Sequence, residues 1–135
     1  MRIEAYLNVN GNCAEAFKFY EKCFGGKIEM TMTHKDAPPE MQMSPEWRDK
    51  IMHVRLNVNG AILLGSDAPA NFYKTPQGLT VSLGIDKAAD AQRIFRELSE
   101  GGTVTMALQK TFWAAHFGMV TDRFGIPWMV NCANE

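Results

Sequence analysis

The sequence predicts an α+β fold built from two βαβββ modules, each a mixed sheet with its helix on the outer side. Three observations carry that expectation. Leu7-Asn8-Val9-Asn10-Gly11-Asn12 runs into a helical stretch that stops at Gly25-Gly26 and is followed by strand-like sequence. Leu83-Gly84-Ile85-Asp86 repeats the plan, with its helical stretch stopping at Gly101-Gly102. Asn59-Gly60, set between two alternating apolar runs, is a strong short-range hairpin signal. A chain of 135 residues is large enough for a real core but not for two independent domains. The expected organisation is one domain over residues 1–135: a first module at about 1–67, a linker at 68–78 and a second module at 79–135.

The elements follow in order. Ile3, Ala5, Leu7 and Val9 alternate with Glu4, Tyr6 and Asn8, which is a strand with one dry and one polar face. Asn12 with Glu15 three residues on reads as a capping box. The helix that follows, near 12–24, sets Cys13, Phe17, Tyr20 and Phe24 on one stripe. Lys27 to His34 reads as a second strand with a weaker pattern. Lys35 to Lys50, with Pro38, Pro39 and Pro45, is too rich in proline for a regular element and too long for a turn. Its Met41, Met43 and Trp47 are expected to pack on something.

His53 to Val58 alternates again, with Val54, Leu56 and Val58 inward and His53, Arg55 and Asn57 on the opposite face. Ala61 to Asp67 returns antiparallel to it. The second module opens with Leu79 to Ile85, whose dry side is Leu79, Val81, Leu83 and Ile85 and whose other side is Thr80, Ser82 and Gly84. Asp86 is placed to cap a helix near 87–100 with the stripe Ala91, Ile94, Phe95 and Leu98. Strands are expected at Thr103 to Gln109, Phe112 to Thr121 and Ile126 to Cys132, the last two separated by a turn that Asp122 caps.

Composition removes several classes of function. The net charge of -1 and the interspersed charges give no case for nucleic acid or an anionic membrane. The apolar runs are too short to cross a bilayer, and the N-terminus enters strand-like sequence at once, leaving no room for a signal peptide. Cys13, Cys23 and Cys132 form no Cys-x-x-Cys pair and are odd in number, which points to free thiols in a reducing cytoplasm. Cys13 is expected to pack as a small hydrophobe rather than act as a nucleophile.

The run Phe112-Trp113-Ala114-Ala115-His116-Phe117-Gly118-Met119-Val120-Thr121-Asp122-Arg123-Phe124-Gly125-Ile126-Pro127-Trp128 resembles the C-terminal signature of PhnB-like proteins. Ala5-Tyr6-Leu7 with Gly11-Asn12 and Phe19-Tyr20, and the stretch from Pro38-Pro39-Glu40-Met41 to Ile51-Met52-His53, resemble the same family in the same order. The likeness spans nearly the whole chain. It implies membership of the vicinal oxygen chelate superfamily, with glyoxalase I, extradiol dioxygenases and the fosfomycin and bleomycin resistance proteins. It further implies paired modules, usually in a homodimer, with helices outside and an open cup between modules. Some PhnB-like chains carry a demethylubiquinone methyltransferase label, but this sequence has no glycine-rich nucleotide loop of the kind methyl transfer from S-adenosylmethionine normally uses.

The superfamily's metal ligands, carried over by position, fall on Glu4, Thr80, Met129 and Leu63 or Leu64. One carboxylate, one hydroxyl and apolar residues do not make a hard-cation site, so no metal and no cofactor are expected. The polar face that remains holds Glu4, Tyr6, Asn8, His53, Arg55, Asn57, Thr80 and Ser82. His53 and Glu4 are the candidate bases, His53 because imidazole titrates near neutrality. Arg55 shares the face of His53 and suits a carboxylate or phosphate. Tyr6, Asn8, Asn57, Thr80, Ser82 and Trp113 are candidate ligand contacts, although Trp113 and Trp128, as large aromatics of closing strands, read first as core residues. His34 and His116 are weaker candidates. Two functions fit: a metal-independent binder of an unidentified small molecule, or a lyase, isomerase or transferase of the glyoxalase type using His53 or Glu4 as base, with metal dependence left open. Both are expected in a homodimer with neither nucleic acid nor membrane as partner.

Overall fold

A computed structural model describes residues Met1–Glu135. The chain falls into two compact units, Met1–Lys74 and Thr75–Glu135. The first contains β1 (Ala5–Val9), α1 (Cys13–Phe24), β2 (Lys27–Thr33), β3 (Ile51–Val58) and β4 (Ala61–Asp67). The second contains β5 (Val81–Gly84), α2 (Ala88–Ser99), β6 (Thr103–Gln109), β7 (His116–Thr121) and β8 (Pro127–Cys132). Strand orders are β1-β4-β3-β2 and β5-β8-β7-β6. In each sheet the first and last strands pair in parallel and the other neighbours antiparallel. The duplicated sequence plan is thus a duplicated topology: two open, mixed four-stranded sheets, each with one helix.

Each helix buries the stripe that its sequence spacing predicts. In α1, Cys13, Ala16, Phe17, Tyr20 and Cys23 are buried against Leu7, Val9, Val54, Leu56 and Leu63 of the first sheet. Tyr20 stacks on Phe24 at 5.8 Å and meets Phe17 edge-on at 5.5 Å. In α2, Ala91, Ile94, Phe95 and Leu98 are the buried residues, beneath which lie Val120, Trp128 and Val130. Burying one such large apolar side chain contributes roughly 1.5–3 kcal/mol, and these contacts fix which sheet face is left open. Trp128 is a core residue, only 1% exposed.

The repeated glycine pair has one job per residue. Gly25 and Gly101 both take the left-handed conformation at φ 71, past the end of the helix. Gly26 and Gly102 instead allow the chain to pass close to the neighbouring strand. A Cβ on Gly26 would fall 2.7 Å from the carbonyl oxygen of Asn57, and one on Gly102 would strike that of Thr121.

The helix starts depart from the local caps expected. Asn12 makes no side-chain cap bond. The first helical N–H, that of Cys13, donates to Asp67 Oδ1 at 2.9 Å, so a residue at the far end of β4 supplies the acceptor. In the second helix the cap position is Lys87, without a side-chain bond, while the carbonyl of Asp86 accepts from Asn134 Nδ2 at 2.8 Å. Asp122 does cap its own turn, accepting the N–H groups of Phe124 and Ile126 and also Trp128 Nε1.

Strand ends are also trimmed. Ile3 and Leu79 are almost fully exposed, and β1 and β5 start at Ala5 and Val81, which leaves Glu4 and Thr80 just outside their strands. β7 begins at His116 rather than Phe112, because Thr111 N–H donates to the Ala114 carbonyl and closes a turn over Phe112 and Trp113. The 35–50 connection is three single-turn 3₁₀ helices, His34–Asp36, Pro39–Met41 and Pro45–Trp47, two of them opened by proline. Trp47 packs edge-on to His34 at 5.5 Å, whereas Met41 and Met43 stay exposed, contrary to expectation.

Candidate functional site

Lateral pairing decides which side chains share a face. Leu7 pairs with Gly65, Gly65 with Val54 and Val54 with Thr31, which is the row under α1. The next row joins Tyr6, Leu64, Arg55 and Met30, and it therefore lies on the open face. Asn8 pairs with Ser66, and His53 pairs with Met32, on that same face by alternation. Five of the residues predicted from sequence, Tyr6, Asn8, His53, Arg55 and Asn57, are thus brought together on one sheet face.

Two contacts organise it. The Tyr6 and His53 rings stack with centroids 5.7 Å apart and planes 28° apart, and Tyr6 Oη lies 3.4 Å from His53 Nδ1. With the phenol donating to Nδ1, the imidazole keeps its proton on Nε2 and offers a donor. Arg55 Nε donates to Glu29 Oε1 at 3.0 Å, and Asn57 Nδ2 donates to Glu29 Oε2 at 3.1 Å. The hydrogen bonds from Arg55 and Asn57 hold the Glu29 carboxyl below the usual carboxylate range, with the nearby positive charges of Arg55 and Lys27 adding to the effect.

Glu29 escapes sequence reading. The pairing between β2 and β3 slips between Ile28 and Met30, so Ile28 lies opposite Leu56 on the buried face while Met30 lies opposite Arg55 on the open one. Glu29 is the extra residue of this bulge, and the bulge sets Glu29 and Met30 on the same face. The only signal available was the weak alternation of β2.

Glu4 is partly buried, and its Oε2 has no hydrogen-bond partner. Arg2 Nε stands 3.4 Å from that oxygen, near enough for charge attraction but not aligned as a hydrogen bond. Of the two leucines carried over as ligand positions, Leu63 is buried on the helix side and Leu64 pairs with Tyr6 on the open side. In the second unit Met129 pairs with Ser82, and Thr80 precedes the strand. Neither set fits a divalent cation: the first unit offers a lone carboxylate with an arginine beside it and leucine, and the second threonine and methionine. No three His, Cys, Asp or Glu side chains gather elsewhere in the chain.

The second unit carries the remaining candidates. Ser82 lies in a row with Met129, Met119 and Met106 across its sheet. Trp113 belongs to the turn before β7, is 51% exposed and packs edge-on to Phe112 and Phe117, so it is neither a strand nor a core residue. His116 pairs with the buried Cys132 and by alternation shares the helix side of its sheet with Gly118 and Val120. His34 has a buried Nδ1 without a partner, beside Trp47. Cys13 is fully buried, and that burial, reinforced by the charge of Asp67, pushes its thiol pKa far up and makes it a poor nucleophile.

Residues 1–131 match the family described as 3-demethylubiquinone-9 3-methyltransferase. The chain belongs to this PhnB-like family. Among its relatives, protein YjdN of Escherichia coli (strain K12) is 32% identical, with 100% of this chain and 97% of that protein covered. The crystal structure of PA1353 from Pseudomonas aeruginosa is 46% identical, covers 100% of this chain and 99% of its own, and superposes with a TM-score of 0.91. A PhnB protein from Bacillus cereus, titled a putative 3-demethylubiquinone-9 3-methyltransferase, shares the fold at a TM-score of 0.80 and 21% identity, covering 98% of this chain and 100% of its own. The fold also extends to a fosfomycin resistance protein, FosX from Listeria monocytogenes, at a TM-score of 0.69 and 6% identity, with 99% and 94% covered. The PhnB-like chain accordingly has the fold of the vicinal oxygen chelate superfamily. None of its helices is long and apolar enough to cross a membrane.

Proposed function

We propose that this PhnB-like protein binds a small organic anion on the open face of its first sheet, without a resident metal. One observation carries the reading: the Tyr6–His53 stack lies beside an arginine whose Nε alone is engaged within the chain. The stack offers a flat amphipathic surface, His53 Nε2 offers a donor, and the Nη groups of Arg55 offer a planar fork suited to an oxyanion. Asn8 and Asn57 border this patch and are proposed to orient the ligand. On the second unit Thr80, Ser82 and Trp113 are the corresponding candidates for contact.

The second reading is an enzyme of the glyoxalase type, with His53 or Glu4 as base. Tyr6 beside Nδ1 favours a binding role for His53, since the outward nitrogen then carries the proton, and the ion pair with Arg2 favours a structural role for Glu4. Methyl transfer, named in the family's description, is a further activity to be assayed directly. We also read the protein as a cytoplasmic homodimer. The three free cysteines suit a reducing compartment, and the outer strands of each four-stranded sheet are edges that a second copy can cover.

Native mass spectrometry of protein purified from cells would report a trapped ligand and the subunit count together. With that ligand, Arg55→Ala is expected to weaken binding by about 1–3 kcal/mol, the worth of a charged hydrogen bond. Unchanged affinity in a folded Arg55→Ala protein would overturn the assignment.

A further inference from the structure

We infer that Glu29 sets the charge of the ligand, so that the first sheet's open face accepts a flat monoanionic carboxylate and discriminates against a dianion. The inference rests on the binding role proposed for that face and adds the class of ligand and the residue that selects it.

Glu29 is not a bystander at the surface. Alternation with Ile28 puts it on the open face, and both of its carboxylate oxygens are engaged, one by Arg55 Nε and one by Asn57 Nδ2. Two hydrogen bonds from alternate positions of one strand fix the carboxylate in place. Glu29 in turn holds the guanidinium by a single nitrogen. The chain gives Arg55 no other hydrogen bond or ion pair, so its Nη1 and Nη2 groups are left as a forked pair of donors. That edge matches the two oxygens of a carboxylate in one plane.

Charge then decides the valence. Arg55 brings one positive charge to the patch and Glu29 one negative charge, paired at 3.0 Å. Lys27, which pairs with Asn57 at the sheet edge, is exposed and adds a screened positive charge. The other nearby pair, Arg2 with Glu4, is itself balanced. A monoanion therefore meets a guanidinium whose geometry is intact and whose long-range field is largely cancelled. The second charge of a dianion meets Glu29 with only the exposed, solvent-screened Lys27 to answer it, and repulsion at a partly exposed site is worth a measurable factor in affinity. Met30 and Met32 pair with Arg55 and His53, so the surface beside the fork is apolar and favours an organic, planar body on the anion.

The test uses three probes of one shape and different charge: benzamide, benzoate and phenylphosphonate, the last held above its second ionisation. Each is titrated into the full-length protein and followed by the NMR shifts of Tyr6, His53 and Arg55. Benzoate is expected to bind more tightly than either of the others. Glu29→Gln should improve phenylphosphonate binding by roughly tenfold relative to benzoate, and Glu29→Asp, which keeps the charge, should preserve the original order. Thermal melts of both variants establish that the fold is retained, and where Glu29→Gln melts early the comparison rests on Glu29→Asp and on salt dependence of the wild-type order. Binding of both anions with the same ratio in wild type and Glu29→Gln would overturn the role of Glu29 while leaving the binding face standing. No shift at Tyr6, His53 or Arg55 with any probe would overturn the binding face and this inference together.

Discussion

Asp67→Ala is the sharpest test of how the first unit is held together. The carboxylate is 6% exposed and accepts two backbone donors, Cys13 N–H at 2.9 Å and Ile51 N–H at 2.8 Å. It therefore joins the start of α1, the start of β3 and the end of β4 at one point. A hydrogen bond to a charged group contributes about 1.5–3 kcal/mol, and a buried donor left without an acceptor costs about 1–3 kcal/mol. Burying the carboxylate offsets part of that gain. The expected net loss for Asp67→Ala is about 3–5 kcal/mol, a large share of the roughly 5–15 kcal/mol typical of a whole domain. Asp67→Asn keeps the shape and one acceptor, so it should lose about half as much. Asp49→Ala is the control, because its partner Lys35 is 3.5 Å away and Asp49 is 90% exposed, which makes the pair worth little. The assay is urea unfolding followed by far-UV circular dichroism. With slopes of about 1–3 kcal/mol/M, the midpoint of Asp67→Ala should fall by at least about 1 M. A midpoint for Asp67→Ala equal to that of Asp49→Ala would show that water or a shifted main chain replaces the carboxylate, and the reasoning would be wrong.

Other outcomes follow from the same physical reading. Gly26→Ala should destabilise by about 1–3 kcal/mol or more, since its Cβ meets a backbone oxygen, whereas Gly25→Ala, with open space around it, should cost only the strain of a left-handed residue, about 1–2 kcal/mol, measured by the same unfolding curves. The Cys13 thiol is raised from its ordinary 9.0 by burial first and by Asp67 second; the native state then holds the thiol proton more tightly than the unfolded chain. Stability linked to it is complete below pH 9.0 and is lost as pH rises above that value. Cys13→Ala should flatten this alkaline loss, and iodoacetamide should label Cys13 in the native protein far more slowly than in urea. Sedimentation at micromolar concentration should give a dimer, and a monomer there would count against the homodimer.

What was legible in the sequence, and what was not, divides by the range of the interaction. Alternation of apolar and polar residues is a local property, so the faces of β1 and β3 and the set Tyr6, Asn8, His53, Arg55 and Asn57 could be read directly. The helix stripes were legible for the same reason, and Ala91, Ile94, Phe95 and Leu98 are the buried residues of α2. Caps were misread because the acceptor for the first N–H of α1 comes from Asp67, 54 residues away, and no local motif announces it. Trp113 was placed in a strand because its run of apolar residues suits one, but the turn closed by Thr111 and Ala114 removes it from the ladder. Glu29 is the most instructive omission. Ile28, Met30 and Met32 share a parity and would occupy one face of a straight strand, with Glu29 on the other. The bulge between Ile28 and Met30 reverses the parity from that point, so Ile28 stays on the helix side while Met30 and Met32 join Glu29 on the open side. A single unpaired residue thus turns Met30 and Met32 to the side where Glu29 meets Arg55 and gives that ion pair a methionine surface. Glu29 itself was within reach of the pattern, since its parity opposite Ile28 already places it beside Arg55, whereas the turn of Met30 and Met32 to the same side was not.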